Sequence, residues 1–366
     1  MKRTVLAFAA LAAVTAPGVA GVDAETLPLT VTQDAVIIRA DNDPAKPDYA
    51  ADRIVDGKAG VAFYHLGPVG HVWYVSGTGP YPNDKTAERR TKYEKHVVMD
   101  LGRQYRLTGV QLHEYYDKRV RYAIDVKTDL NERFGQSLDF DSDTRGTPSG
   151  MIRRFASPAR ARYVRLRVRT HQQRATPGAP GDLHITEIRL FDRPLPRVTA
   201  TELTEGEKQD EQAIYSPDNL IDGVIGAIAL WYRAKVYDSQ GDYRDTESYD
   251  GCWYVHDWTG WSRGWARATI DLGGTYTVAG VRVYDKNGKE VQFTLDLYDD
   301  QYPDGRQVAS GYYATGELVE FAAPMLAKAM RISVRGGGHS VGARRKGDKH
   351  ITELQILVKR PADRAR

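Results

Sequence analysis

The chain has 366 residues, of which 41% are hydrophobic and 27% charged, an ordinary composition for a soluble globular protein. Its formal net charge of +3 is too small to indicate a nucleic acid as a partner. Cys252 is the only cysteine, which excludes a disulfide within the chain. The length predicts two or three domains, each large enough to bury a core without disulfides.

The first residues have the pattern of a secretory signal peptide. Met1-Lys2-Arg3 precedes a short apolar run, and the small residues Ala20 and Ala24 offer cleavage sites, so we predict a leader over residues 1–24. A buried N-terminal helix is the alternative. The run is too short to anchor the chain in a bilayer, and no later segment is long enough to be a transmembrane span. We therefore expect an exported protein, secreted or periplasmic, and the lack of a disulfide favours a bacterial periplasm or exterior.

Strand patterns begin directly after this leader. Leu27, Leu29 and Val31 recur at every second position, and the apolar run of residues 36–38 follows. Asp56-Gly57 then predicts a tight turn, since glycine tolerates positive φ and aspartate bonds nearby backbone amides. Residues 58–96 form a long loop region, and loops of this length in compact β domains are usually functional or disordered.

The stretch from Val97 to Asp129 predicts antiparallel strands with one buried face. Val97, Met99 and Leu101 alternate, a glycine follows, and the alternation resumes near Tyr122. Residues 130–150 are rich in Gly, Ser and Asp and predict a surface loop. Residues 160–169 then alternate apolar residues with arginines, which predicts one strand with a dry face and a basic face. That basic face could meet an anionic glycan or headgroup, or it could pair with neighbouring acids in solvent.

A second version of this pattern occupies the rest of the chain. Residues 268–300 repeat residues 97–129, with Asp271-Leu272-Gly273 in place of Asp100-Leu101-Gly102. Residues 215–223 likewise repeat 49–57, and 350–353 repeat 184–187. A unit of this length is a domain rather than a solenoid repeat. We predict an all-β chain with domains over 25–193 and 198–359, a linker over 194–197 and a charged tail over 360–366.

Five short motifs follow one another in a fixed order in the first copy. They are Asp56-Gly57, Trp73, Asp100-Leu101-Gly102, Arg162-Tyr163-Val164-Arg165-Leu166 and Ile185-Thr186-Glu187-Ile188. This series resembles the discoidin domain, also called the coagulation factor V/VIII type C domain, whose galactose-binding-like fold is shared by family 32 carbohydrate-binding modules. The second copy departs from it at Ala329, where the family usually has tyrosine. The resemblance implies two tandem jelly-roll β-sandwiches whose loops at one end bind sugar, lipid headgroups or protein.

Aromatic residues near these loops are the candidates for ligand binding. The resemblance implies that Trp73 and Trp253 are packing residues, whereas the loops beside them take the ligand. Sugar recognition needs a flat apolar surface and planar hydrogen-bonding groups, which one short segment of the second copy supplies. The alternative is that these aromatics cover a hydrophobic flank of the barrel. The predicted set in the second copy is His256, Asp257, Trp258, Trp261, Arg263 and Trp265, and the poorer set in the first copy is Tyr64, His65 and His71.

The resemblance also implies a structural Ca²⁺ ion near each Asp-Gly turn, held by backbone carbonyls, aspartates and a late glutamate. The residues at matching places are Asp56, Glu187, Asp222 and Glu353. The acidic residue and threonine that usually follow Asp-Gly are replaced by Lys58-Ala59 and Val224-Ile225, and Lys58 would oppose a divalent cation. Turn capping is the alternative role for the same acids. We expect no required cofactor.

These observations predict a non-catalytic, exported protein that binds a carbohydrate or polysaccharide through the loops at the barrel end. Two weak sites on one chain could gain affinity by avidity on a polymeric glycan. The rival function is cell adhesion or assembly, in which the same loops meet a protein or cell-surface ligand. A glycan-active hydrolase is the third reading: no catalytic motif is recognised, but the separation of a carboxylate pair is a three-dimensional quantity. The oligomeric state stays open.

Overall fold

The computed structural model describes residues 24–32, 35–42, 50–56, 73–75, 94–114, 120–139, 147, 149–169, 183–203, 207–209, 216–223, 252–257, 265–285, 290–335 and 349–359. These residues form sixteen β-strands and two short 3₁₀ helices, Ala51–Val55 and Pro217–Ile221, and no α-helix. The strands are β1 Ala24–Thr26, β2 Val36–Ala40, β3 Trp73–Val75, β4 Glu94–Glu114, β5 Arg121–Lys127, β6 Gln136–Asp139, β7 Ile152–Arg169, β8 Leu183–Phe191, β9 Arg197–Leu203, β10 Glu207–Gln209, β11 Trp253–Asp257, β12 Trp265–Asp285, β13 Val291–Tyr298, β14 Arg306–Tyr313, β15 Val319–Arg335 and β16 Lys349–Lys359.

The strands pair into two antiparallel sheets with corresponding strand orders. The first sheet runs β3-β8-β4-β7-β5-β6, with β2 beside β4. The second runs β11-β16-β12-β15-β13-β14, with β9 beside β12, and β10 and β1 extend it on β11 and β16. The predicted all-β class is confirmed. Apart from β1 and β10, which have no counterpart among the described strands of the first sheet, the two strand orders correspond.

Each sheet folds over its own core because its longest strands bend. In β12 the buried residues alternate from Ala266 to Leu272 and recur from Tyr276 onward, and both runs belong to one hydrophobic cluster. A straight strand of 21 residues would be roughly 70 Å long, so both runs reach one compact core because the strand turns over it. The turn falls at Gly273, which has φ +74°, and at Gly102 in β4, which has φ +77°. The result is a β-sandwich in each half of the chain.

Tryptophans lie at the centre of both cores. Trp73 and Trp253 are both fully buried, at 0% exposure. The packing role predicted for these two residues is therefore confirmed. Each sits on a short strand paired with the last strand of its sheet, opposite Ile185 and Ile351 respectively.

The arginine-rich strand β7 pairs its basic face with acids. The guanidinium groups of Arg165 and Arg167 both contact the buried Asp125 carboxylate on β5, at 2.6 and 2.8 Å. Arg162 binds Asp100 through two hydrogen bonds of 3.0 and 3.1 Å. This is the arrangement that the second of the two interpretations predicted for the strand.

The N-terminal segment crosses from one sheet to the other. Strand β1 pairs with β16 of the second sheet, and Leu27 and Leu29 are buried in the second core. Val31, only two positions later, donates its N–H to Leu190 on β8 and is buried in the first core. The sequence had indicated strands here but not which sheet they join. The predicted leader lies almost wholly outside the described residues, and its cleavage stays a prediction.

The two halves also touch along the linker and the second Asp-Gly turn. Leu195 is buried and lies where a side chain on Gly109 would meet it, and Gly273 packs against Pro194. The Ile152 N–H donates to the Asp222 carbonyl at 2.7 Å. These contacts join the halves through backbone and small residues.

One predicted loop contains a strand. Residues 136–139, within the predicted loop over 130–150, form β6 and pair with β5. The prediction was wrong there because an edge strand of this length is held by backbone hydrogen bonds and needs no hydrophobic alternation. Among the described residues, no helix is long and apolar enough to cross a membrane.

Candidate functional site

The tryptophan-rich segment between β11 and β12 begins and ends at one end of the second sandwich. Because β12 turns over the core at its middle, its two termini lie at the same end of the sandwich. Trp265 pairs there with Arg335 of β15, and Asp285 pairs with Ile351 of β16. Strand β11 reaches the same end, since Val255 pairs with Lys349. The segment between β11 and β12 is therefore anchored at this end.

Most of the sequence-predicted ligand residues lie outside the described part of the chain. Trp258, Trp261 and Arg263 of the second copy are among them, as are Tyr64, His65 and His71 of the first. His256 and Asp257 are described only as backbone of β11, paired with Lys208 and Glu207 of β10. For these residues the binding role stays a prediction.

Trp265 is the one member of the set whose side chain is described. It begins β12, and it is half-buried, in contrast to the fully buried Trp253. The Arg335 guanidinium lies over its ring, 5.4 Å from the centroid. A guanidinium stacked on an indole keeps its N–H groups in the plane, where they can donate hydrogen bonds. Sequence reasoning missed Arg335, because its contact with Trp265 depends on the pairing of β12 with β15.

The carboxylates of the predicted calcium site come together in the second copy. Gly223 donates its N–H to Glu353 Oε2 at 3.0 Å. Burial raises the pKa of Glu353 well above its usual range, and the neighbouring Asp222 carboxylate raises it further, while the Gly223 hydrogen bond acts in the opposite direction. In the first copy, Glu187 is buried on β8 and Asp56 is exposed at the end of the first 3₁₀ helix.

These acids do not complete a calcium shell by themselves. Ca²⁺ takes six to eight oxygen ligands, and no group of three or more His, Cys, Asp or Glu side chains suited to a metal occurs among the described residues. One Glu353 oxygen is already bonded to the Gly223 N–H. Glu353 thus caps the Gly223 turn, and calcium binding stays a prediction.

Comparison with known proteins gives similar folds at low identity. No family model matches the chain, and no curated protein matches it. Similar solved structures include a fucolectin from the serum of Morone saxatilis, the striped bass, at 15% identity and a TM-score of 0.29, covering 90% of this chain and 98% of that one. A family 32 carbohydrate-binding module of NanJ from C. perfringens, in complex with galactose, is 15% identical with a TM-score of 0.27, covering 44% and 99%.

An enzyme is also among these structures. Allantoicase from Saccharomyces cerevisiae is 11% identical with a TM-score of 0.29, and the match covers 90% of this chain and 91% of that one. Lectins, binding modules and an enzyme are thus among the matches, and likeness at this level assigns no function. The site has to be argued from this chain's own residues.

Proposed function

We propose that the chain is an exported, non-catalytic carbohydrate-binding protein built from two tandem discoidin-like domains. Its main site is the end of the second sandwich, formed by residues 253–265. The observation that carries the proposal is Trp265, which is half-buried at that end, unlike the fully buried Trp253, and has the Arg335 guanidinium over its ring. An aromatic face beside planar donors is the combination that a pyranose ring requires.

The neighbouring sequence supports the same chemistry. Residues 258–264 connect β11 to β12 and carry two further tryptophans and an arginine. Trp253, at the start of this stretch, is committed to the core, so it fixes the strand rather than meeting a ligand. We propose that Trp258, Trp261 and Arg263 complete the site with Trp265.

The rival function is adhesion, in which the same end binds a protein or a cell surface. Aromatic and arginine residues are enriched at protein interfaces as well, so composition alone does not separate the two. A hydrolase is the third candidate. It requires a pair of carboxylates at a defined separation, and the Asp222 and Glu353 pair is engaged with the Gly223 turn.

A glycan array probed with the purified protein tests the proposal. Wild-type protein binds a glycan, and Trp261→Ala abolishes the binding because the stacking surface is lost. The matched control is Tyr302→Ala, which removes an aromatic from the β13–β14 turn. Adhesion would be favoured by two results together. The protein binds no glycan on the array, and it captures a purified cell-surface protein, a capture that Trp261→Ala prevents. Release of reducing sugar from a bound glycan would establish a hydrolase instead.

A further inference from the structure

Four side chains form a straight row across the second sheet. Trp265 of β12 pairs with Arg335 of β15, Arg335 pairs with Gln292 of β13, and Gln292 pairs with Tyr312 of β14. Residues directly opposite each other in antiparallel strands point to the same face of the sheet. The row therefore places an aromatic ring at each end and two planar hydrogen-bonding groups between them.

This row lies on the outer face of the sandwich. Ala266, Val334 and Phe293, the neighbours of the first three members along their strands, are buried in the second core. Tyr313 packs its ring against Phe293, with centroids 4.7 Å apart, so the preceding Tyr312 points away from the core. Tyr312 is 55% exposed, among the few large apolar side chains so exposed in the described part of the chain.

The dimensions and the chemistry of the row suit a chain of sugars. Neighbouring strands lie about 4.8 Å apart, so three steps separate the two rings by roughly 14 Å. A ligand that touches both rings must therefore be an oligomer rather than one sugar. Arg335 offers planar donors, and Gln292 offers both a donor and an acceptor, which suits hydroxyl groups between two stacked rings.

The next row inward is polar as well. Arg267 pairs with Ser333, which pairs with Thr294, which pairs with Ser310. The Arg267 charge is matched by Glu202 of β9 at 3.4 Å. Ser333 is buried, so Thr294 and Ser310 are the hydroxyl residues of this row that a polar ligand running along the aromatic row could contact.

Among the described residues, the first sheet has no aromatic at the corresponding places. There Glu94 of β4 pairs with Arg169 of β7, and Arg169 pairs with Arg121 of β5. The described part of β6 ends at Asp139, whose partner on β5 is Ala123, one step short of this row. Within the described part of the chain, the aromatic row therefore occurs in the second half, although the two sheets share one strand order.

The geometry points to an oligosaccharide-binding face formed by Trp265, Arg335, Gln292 and Tyr312, continuous with the site at the sandwich end. This inference rests on the proposed function for the class of ligand. It adds a second binding surface and a minimum ligand length. The end site takes one sugar of a glycan, and the row takes the sugars that follow it across four strands.

Titration calorimetry tests this with six-sugar fragments of β-1,4-glucan, galactan, polygalacturonate and chitin, each beside its monosaccharide. Tyr312→Ala weakens binding of the preferred six-sugar fragment about tenfold and leaves the monosaccharide unchanged, whereas Trp261→Ala weakens both. Tyr312→Phe keeps the ring and the affinity, Gln292→Ala weakens the fragment alone, and Tyr302→Ala serves as the control. Circular dichroism confirms that the variants fold.

The outcomes separate the two proposals. If Tyr312→Ala and Gln292→Ala bind the six-sugar fragment as wild type does while Trp261→Ala loses it, the face is wrong and the end site stands. If wild type binds neither fragments nor monosaccharides, both are overturned. Equal affinity of wild type for a fragment and its monosaccharide also contradicts the face, because its two rings cannot share one sugar.

Discussion

Individual carboxylates at the bend of each long strand have the same backbone role and different arginine partners. Asp100 and Asp271 each accept an N–H from the glycine two positions later, at 2.8 and 2.9 Å. Asp100 binds Arg162 of β7, whereas Asp271 contacts Arg197 at the start of β9, at 3.2 Å. The turn chemistry is thus repeated, and the ion pair is not.

The Asp100 pair predicts an acid-dependent contribution to stability. Hydrogen bonds from Arg162 lower the pKa of Asp100 below its usual 3.8, the Gly102 N–H and the Arg162 charge lower it further, and partial burial opposes them. A carboxylate with a lowered folded pKa stabilises the fold above its unfolded pKa and loses that contribution as the pH falls through the folded value. Arg162→Gln therefore raises the pKa of Asp100 toward 3.8, measured by carboxyl-carbon NMR titration.

The loss of the Asp100–Arg162 pair should also lower the free energy of unfolding, and the loss should depend on pH. Urea unfolding shows wild type more stable than Arg162→Gln at neutral pH, with the difference shrinking as the pH drops below 3.8. The Arg162 side chain is 42% exposed, and solvent screening keeps the effect small. A difference that grows in acid would contradict the assignment of Arg162 as the main cause of the lowered pKa.

Which acids the arginines meet could not be read from the chain. The alternation in residues 160–169 predicted a strand with a basic face, and β7 confirms it. Asp125 lies some forty positions earlier, and only the pairing of β5 with β7 brings it opposite Arg165. Local periodicity shows which face a residue occupies, whereas its partner depends on a register that no local pattern encodes.

At the level of elements, the bend in each long strand depends on a glycine at positive φ. Gly102 and Gly273 hold the same place in β4 and β12, and their surroundings differ. A side-chain carbon on Gly102 would meet nothing within 4 Å, whereas one on Gly273 would overlap the Pro194 carbonyl. The two positions therefore separate the cost of backbone strain from the cost of crowding the linker.

Alanine at each glycine measures these two costs. Gly102→Ala should destabilise the protein by about 1 kcal/mol, because an L-residue at positive φ is strained and the stiffer unfolded chain offsets part of that strain. Gly273→Ala should cost a further 1–3 kcal/mol or so, since the linker must shift. Chemical denaturation of both variants checks the order. Equal losses would show that the Pro194 contact contributes nothing.

The sequence predicted these elements unevenly. The long strands β4 and β12 are visible because Val97, Met99 and Leu101 alternate and because the pattern occurs twice. The short edge strand β6 was missed, since Gln136–Asp139 has only backbone pairing to define it. The aromatic row was missed for another reason: Trp265, Gln292 and Tyr312 belong to three strands, and only their registers bring them into line.

For the whole molecule, the N-terminal segment connects the two halves. Leu29 is buried in the second core and Val31 in the first, although both precede nearly all of the first half in the chain. The predicted boundary at residue 25 followed chain order, which cannot show that a leading segment returns to a distant sheet. A segment shared by both cores restricts their relative motion.

Truncation of these two side chains should therefore weaken different halves. Leu29→Ala removes methylenes from the second core and should lower its stability by about 2–5 kcal/mol, while the first half is affected less. Val31→Ala removes less volume and should act mainly on the first half, where its N–H bonds to Leu190 on β8. Hydrogen exchange with mass spectrometry resolves the two effects, because peptides from β16 and β8 report separately.

The exchange patterns of the two variants show whether the N-terminal segment packs in both cores or in one. Faster exchange confined to β16 in Leu29→Ala, and to β8 in Val31→Ala, fits a segment that packs in both cores. If Leu29→Ala accelerated exchange in β5 and left β16 unchanged, the segment would belong to the first half alone. If neither variant altered exchange, the segment would lie outside both cores, and the linker around Leu195 and the Ile152–Asp222 hydrogen bond would join the halves without it.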